Sequence, residues 1–571
     1  MDLSRSPFLS HWRDLAQYLM PYRQQFDITD NNRGERRNLS IIDSTATLCL
    51  RDLAAGLMSG LTSPARPWFR FSVNDKKLSQ NKKVQVYLDD ATDTVSNVLL
   101  QSNFYNEAPN LYGDGAAFGT SALYMEEDFD NVVRFYHWPI GSYYLANNDK
   151  MRVAVAVRDL TYTVREVVEK FGTNERTGEV SFDNISLAVQ ELYKAGELEA
   201  WVFVTHVIEI NPDYKSNSML AKHKRYRSVW YERGIFGSGL NVQMIPMGPD
   251  LDTYLRESGY DYFPVLAYRW GRSGEDIYGT VCPGMEALGD IKQLQMGERR
   301  KAQAIEKWVN PPLVGDSSLR STLVTQVPGG MNWVNMLGGS GNDQLKPLYS
   351  VNPDISTLNK SQEEVRERIS RAMYNDLIRM MLDSERKQIT ATEVEERTGE
   401  KEFILGPMME QLNQGVLDPL IINTYRITNK QKRMTPMPEE LKGAKVIIEY
   451  TSVMAQARKA VHKASMVDFS QFVTSLEQGN PNDPSIGDIV DKDEQVRQYA
   501  DAISIPAVII RSQDEVAKIR QGRAQQQQAQ AAQERLSAGA RAAKDLAAAP
   551  TDQNNALTQL TNSGSFAPQG A

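Results

Sequence analysis

Six consecutive polar residues, Asp383, Ser384, Glu385, Arg386, Lys387 and Gln388, have no apolar anchor among them and read as a loop. Arg386 and Lys387 give it positive charge of the kind a phosphate backbone meets, although the same residues equally suit a plain solvated loop. Thr390 and Glu393 follow at the spacing of a capping box. In that arrangement each side chain accepts from a backbone N–H at the start of a new helix, satisfying donors the helix itself leaves open. Arg36 with Arg37 and the basic run KHKRYR at 222–227 are the other cationic clusters, and the latter reads as a surface loop between strands.

Other reactive arrangements are missing from the sequence. No GxxxxGK[ST] phosphate-cradling loop occurs; the glycine-rich stretch Gly338, Gly339, Ser340, Gly341 lacks the lysine that must follow and reads as a flexible turn. No GxSxG, HExxH or DxDxDG pattern is present. The carboxylate pairs Glu126 with Glu127, Glu363 with Glu364 and Glu395 with Glu396 read as helix faces or turns rather than as a nuclease centre. Two cysteines, Cys49 and Cys282, cannot build a zinc site and read as buried thiols. The five histidines are scattered and form no HxxxH pair, and they read as ordinary core or surface residues. The expectation is a chain with no enzymatic activity, cofactor or metal.

The positioning elements follow from hydrophobic periodicity. Residues 4–19 place Phe8, Trp12, Leu15 and Leu19 on one helical stripe, and 44–61 do the same with Ala46, Leu50, Leu53, Leu57 and Leu61. Pro64 and Pro67 stop that helix, and Trp68 with Phe69 open a strand. Helices at 84–100 and 106–120 precede strands at 122–126, 132–138, 143–145 and 153–158, then a helix at 163–171 closed by Gly172 in a left-handed terminus. Strands at 202–210, 226–231 and 264–270, with a further pair between 235 and 254, lead to a helix over 284–309. Its stripe is Leu288, Ile291, Gln295, Ala302, Ile305 and Val309.

A glycine-rich stretch at 313–351 reads as a small β module. A second long helix at 353–382 carries Leu358, Val365, Ile369, Ala372 or Met373, Leu377 and Met380 inward, with alternating charges on its solvated face. After the polar loop a further helix, kinked at Pro407 and at Pro419, has Met409, Leu412, Val416, Leu420 and Ile427 on one side. A strand at 445–450 and helices at 456–478 and 491–504 follow. An Ala/Gln-rich tract at 523–549 suits either a helix or a frayed tail, and disorder is expected from residue 551.

At 571 residues, two or more compact units are expected. Apolar runs such as those at 53–57 and 153–157 fall far short of the ~18–20 residues that span a bilayer, so no membrane insertion is expected. No secretory signal is visible at the N-terminus. Net charge is −8 with a pI near 5.5, the wrong sign for gripping nucleic acid; it suits a low-friction channel and equally any cytosolic protein.

Three separated motifs occur in order: LAAGLMSGLTSPARPWF at 53–69, YGTVCPGMEALGDIKQL at 278–294, and TATEVEER at 390–397 followed by Leu405-Gly406-Pro407. Together with Trp138-Pro139-Ile140 they make residues 3–450 resemble the portal, or head-to-tail connector, proteins of short-tailed bacteriophages. The resemblance implies an α+β, mainly α-helical portal fold. Its parts would be a wing at 1–283, a first stem helix at 284–309, a clip at 310–352 and a second stem helix at 353–382. A tunnel loop at 383–389, a long kinked helix and wing strand at 390–455, crown helices at 456–522 and a tail at 523–571 would complete it. It also implies a ring, expected to be a 12-mer, in the virion at one capsid vertex, made in the host cytoplasm, through which double-stranded DNA passes in packaging and ejection. Partners would be the terminase large subunit, a tail adaptor, and the major capsid and scaffolding proteins. A non-viral structural ring and a terminase-like nucleic-acid-processing protein are the competing readings.

Overall fold

The computed structural model describes residues 1–23, 26, 37–79, 81–173, 179–236, 254–311, 313–315, 345–347, 354–376, 378, 406–451, 469–475, 491, 493–497, 511 and 513–547. The polar loop Asp383 to Gln388, Thr390 and Glu393 lie outside them, as do the glycine-rich turn at 338–341 and the tail from 551.

The described residues up to Phe118 are mainly helical. Helices α1 (Asp2–Leu19) and α2 (Thr45–Leu61) bury the expected stripes, with Trp12, Leu15 and Leu19 on the first and all five anticipated positions on the second. Each leucine withdrawn from water in this way contributes roughly 1.5–3 kcal/mol. Trp12 meets Tyr278 edge-on at 5.2 Å and tethers α1 to residues far along the chain. Strand β1 (Phe69–Val73), a short α3 (Lys76–Ser79), α4 (Lys82–Gln101) and α5 (Phe104–Phe118) follow. The Asn81 side chain caps α4 by accepting from the Lys83 N–H at 3.0 Å.

The chain then alternates into sheets. β2 (Thr120–Asp128), β3 (Val132–Trp138) and β9 (Val265–Arg269) form a three-stranded antiparallel sheet in the order β3-β2-β9. β4 (Tyr143–Asn147), β5 (Val153–Thr163), β6 (Trp201–Ile210), β7 (Tyr226–Phe236) and β8 (Arg256–Tyr260) make a five-stranded meander in sequence order. Short helices α6 (Val164–Val167) and α7 (Leu187–Ala195) cover one part of it around a small satellite core that includes Val164, Val168, Val189 and Val204. Helix α7 and strand β8 lie where the sequence pattern gives no element.

Two expectations here are corrected. β5 continues to Thr163, beyond residue 158. The helix at 163–171 starts with a Thr163–Glu166 capping box, but after α6 it widens into a π turn at Val168–Gly172, and Gly172 is not left-handed. A close approach requires this glycine instead: a Cβ there would lie 2.8 Å from the Ser181 carbonyl.

Helix α8 (Pro283–Val309) and helix α9 (Ile355–Ala372) enclose the antiparallel pair β10 (Leu313–Gly315) and β11 (Leu345–Pro347). The expected stripe of α8 is buried only in its first half. Ile291 and Gln295 are inside and Leu288 packs against the core, whereas Ala302 and Val309 are exposed because α8 runs past the end of that core. Helix α9 is shorter than the 353–382 pattern implies: Tyr374, at φ +53°, turns the chain left-handed and ends it. Leu358 is 39 % exposed, while Val365, Ile369 and Met373 are buried as expected; residues 377 and 380 lie outside the described residues.

Residues 406–412 are helical and pass through a π turn (Asn413–Leu417) into α10 (Asp418–Lys430). Met409, Leu412, Val416, Leu420 and Ile427 are all buried. A distortion sits next to Pro419, as expected, because Pro419 lacks an N–H and its ring crowds the carbonyl one turn back, while the turn preceding Pro407 lies outside the described residues. Strand β12 (Val446–Tyr450) pairs antiparallel with β1, closing the chain back on its N-terminal region. Residues 469–475 and 493–497 are helical within the expected 456–478 and 491–504 helices, and the Ala/Gln-rich stretch lies in α11 (Gln513–Ala547).

Candidate functional site

The polar loop singled out by its composition is bracketed by described structure on both sides. On its N-terminal side α9 packs antiparallel along α8, since Asp290 faces Arg368, Glu298 faces Arg366 and Lys301 faces Gln362. After the Tyr374 turn, Ile378 packs onto Gly56 of α2 so closely that a Cβ on the glycine would lie 2.3 Å from Ile378 Cγ2. On its C-terminal side the chain resumes in the helix that holds Met408 and Met409 against the core. The two α-helices and α2 therefore form the base from which residues 379–405 depart.

That base is held by a polar lock rather than by apolar packing alone. Gln295, buried on α8, accepts from the Ile42 and Asp43 N–H groups at 2.6 and 2.9 Å and donates to the Asp43 carbonyl at 2.7 Å. The amide thus satisfies backbone groups just ahead of α2, which explains a polar residue on the inner stripe. The Asp43 carboxylate accepts from the Thr45 N–H at 2.8 Å and from Arg366 at 3.1 and 2.9 Å. Burial raises the Asp43 carboxyl, but the hydrogen bonds from Thr45 and Arg366 outweigh it and hold it below the ordinary carboxylate value. Arg366 also donates to Glu298 at 2.7 Å and to Glu363 at 3.0 Å, so one guanidinium joins α8, α9 and the entry to α2. The alternating charges of α9 read as a solvated face with pairs along the helix; Arg366 keeps one such pair, with Glu363, and both Arg366 and Arg368 reach across to α8.

Helices α8 and α9 contain nine basic and seven acidic side chains, within a chain whose net charge is −8. The exposed distal part of α8 ends in Trp308 and Val309, 54 % and 74 % exposed.

A Ser-His-Asp combination exists that the sequence does not announce. Asp114 and His137 lie 3.1 Å apart, and Ser121 Oγ is 3.4 Å from the same ring nitrogen, Nε2. A nucleophilic relay needs serine and carboxylate on opposite ring nitrogens, so this cluster cannot pass a proton from one to the other. Ser121 and Asp114 are also wholly buried, and Arg23 neutralises Asp114 at 3.1 Å. Among the described residues no three His, Cys, Asp or Glu side chains gather as a metal site, and no helix is long and apolar enough to cross a membrane. Cys49 and Cys282 are both buried and neither is in a disulfide, as expected.

Comparison with known proteins places these features in a lineage. Residues 1–510 match the family described as bacteriophage head to tail connecting protein. The chain is 37 % identical over 565 residues to the portal protein of Salmonella phage epsilon15, covering 99 % of this chain and 96 % of that one. It is 36 % identical over 557 residues to a probable portal protein of Bordetella phage BPP-1, covering 98 % and 95 %.

Proposed function

This chain belongs to the bacteriophage head-to-tail connecting protein family, and we propose that it is the portal subunit through which double-stranded DNA enters and leaves a capsid. Copies close into a ring of twelve at one vertex of the virion. Residues 1–283 form its outer wing, the helices at 284–309 and 353–382 the stem, and 310–352 the clip that meets the terminase large subunit and later a tail adaptor. Major capsid and scaffolding proteins surround the ring during assembly. The helix and strand at 390–455 tie stem to wing, and 456–571 form the crown and tail.

The observation that carries this reading is the order α8, β10–β11, α9 within a chain matched to portal relatives over nearly its whole length. At about 1.5 Å per residue, the 27 residues of α8 give a wall roughly 40 Å tall. Its work is mechanical: a ring of helix pairs lines the bore, and the loop at 383–389 acts as a valve against leakage of packaged DNA. A chain with net charge −8 repels a polyanion weakly and lets it slide.

Electron-microscopy class averages of the purified protein test this. Rings with a central hole as wide as duplex DNA are expected; a protein that stays monomeric at every concentration and is missing from virions would refute it.

A further inference from the structure

A cleft of about 650 Å³ opens where the turn between β4 and β5, the approach to β7 and strand β9 face the π turn and α10. Six cationic side chains line it: Lys150, Arg152, Arg225, Arg269, Arg272 and Arg426. Only two carboxylates do, Asp149 and Asp261, and Asp261 is already held by Lys224 at 3.0 Å. Among the described residues, no carboxylate hydrogen-bonds Lys150, Arg152, Arg225 or Arg426, although the Asp418 carboxyl feels the Arg152 charge, and all four are exposed. Elsewhere the arginines of this acidic chain are commonly ion-paired, as Arg70, Arg134, Arg227, Arg366 and Arg368 show. Beneath the rim, Arg269 is fixed by the Ile277 carbonyl at 2.9 Å and by Asn147, and Arg272 by the Met151 carbonyl at 3.1 Å. Burial first, and then the neighbouring Arg272 charge, push the Arg269 guanidinium down to about 10.

Gathering like charges around a concavity is unfavourable unless an anion enters it. Five of the six cations are arginines, whose planar forks suit oxyanions in bidentate contact. The amides of Asn148, Gln411 and Asn423 add donors for phosphate and sugar oxygens, and Tyr226 and Tyr262 border the cleft. We propose that this cleft is a phosphate-binding site that takes the backbone of nucleic acid, separate from the proposed channel and independent of it. A free phosphate anion shares the chemistry, and the arms of the test separate the two sources.

The test uses the purified full-length protein and a fluorescein-labelled 20-base-pair DNA duplex, read by anisotropy across a salt series. Wild type is expected to bind, weakening steeply with salt. Arg152→Gln with Arg426→Gln should weaken binding about tenfold and lower the salt slope by about 2, one for each phosphate left without its arginine. The control pair Lys194→Gln with Lys215→Gln should bind as wild type. Folding of each variant is checked by thermal melting, and the single changes Arg152→Lys and Arg426→Lys, which keep the charge, should retain most of the affinity. Tripolyphosphate should displace the duplex well below the concentration at which hexaglutamate does. Inorganic phosphate saturating the site at concentrations where duplex does not compete would assign it to the free anion and overturn the nucleic-acid assignment. Unchanged binding in the Arg152→Gln, Arg426→Gln protein, or displacement by hexaglutamate as readily as by tripolyphosphate, overturns the proposal.

Discussion

Arg366 closes on Asp43 across 323 positions of sequence, its Nε and Nη2 at 3.1 and 2.9 Å from a single carboxylate oxygen. The contact locks α9 to the segment entering α2, and Glu298 of α8 shares the same guanidinium.

Truncating Arg366 to alanine leaves Asp43, mostly buried, without its cation, and leaves Glu298 with Lys301 alone at 2.7 Å. Hydrogen bonds to charged groups contribute ~1.5–3 kcal/mol, so Arg366→Ala should cost about 2 kcal/mol, read as a lowered melting temperature. Arg366→Lys should recover only part of this, because an ammonium cannot span the forked geometry. An unchanged melting temperature in Arg366→Ala would show the lock to be energetically idle.

The same pair predicts an acid dependence. The Asp43 carboxyl is held below its ordinary value of 3.8, so its contribution is fully present above that value and disappears as pH falls through the lower folded value. Between about pH 5 and pH 2.5 the wild type should therefore lose more stability than Asp43→Asn, which has no such proton to take up. Parallel melting curves for the two proteins over that window would remove Asp43 as the source.

Gly56 and Ile378 form a steric pair. Gly56→Ala places a methyl where Ile378 already packs, and overpacking of this kind costs about 1–3 kcal/mol. Adding Ile378→Val, or more fully Ile378→Ala, should return stability to the Gly56→Ala background while destabilising the wild type. Additive losses in a double-mutant cycle would mean the contact is not the limiting one.

Cys282 is fully enclosed, and burial pushes its thiol up to about 12. The thiolate that reacts is then scarce and shielded. Native protein near pH 8 should show no labelling of Cys282 by a thiol reagent in minutes, and complete labelling in denaturant. Rapid labelling of the native chain at Cys282 would contradict the packing around α8.

Deleting Glu385 to Lys387 should leave particle assembly intact and impair DNA packaging or retention, since the three residues lie in the proposed valve. Genome content of purified virions is the readout; normal packaged DNA in the deletion removes the valve role.

Much of this protein is legible in its sequence. The stripes of α1, α2 and the helix carrying Leu412 and Val416 are fixed by three- and four-residue spacing, and burial follows that spacing because a helix has one face to hide. Proline positions end α2 and locate the distortion near Pro419. The same local rules overstate α9, because the Tyr374 turn depends on what packs beyond it, and leave α7 and β8 unseen, where no strong period marks them.

What the chain decides by itself is therefore local: helix faces, breaks, a buried pair of thiols, and the ordered motifs that mark its lineage. Tertiary structure alone decides the long-range partners. Gln295 receiving the backbone ahead of α2, Arg366 reaching Asp43, and β12 pairing with β1 join residues hundreds of positions apart, and no spacing rule carries that information. Periodicity reports which face turns inward; only the packed core determines which distant group waits there to meet it.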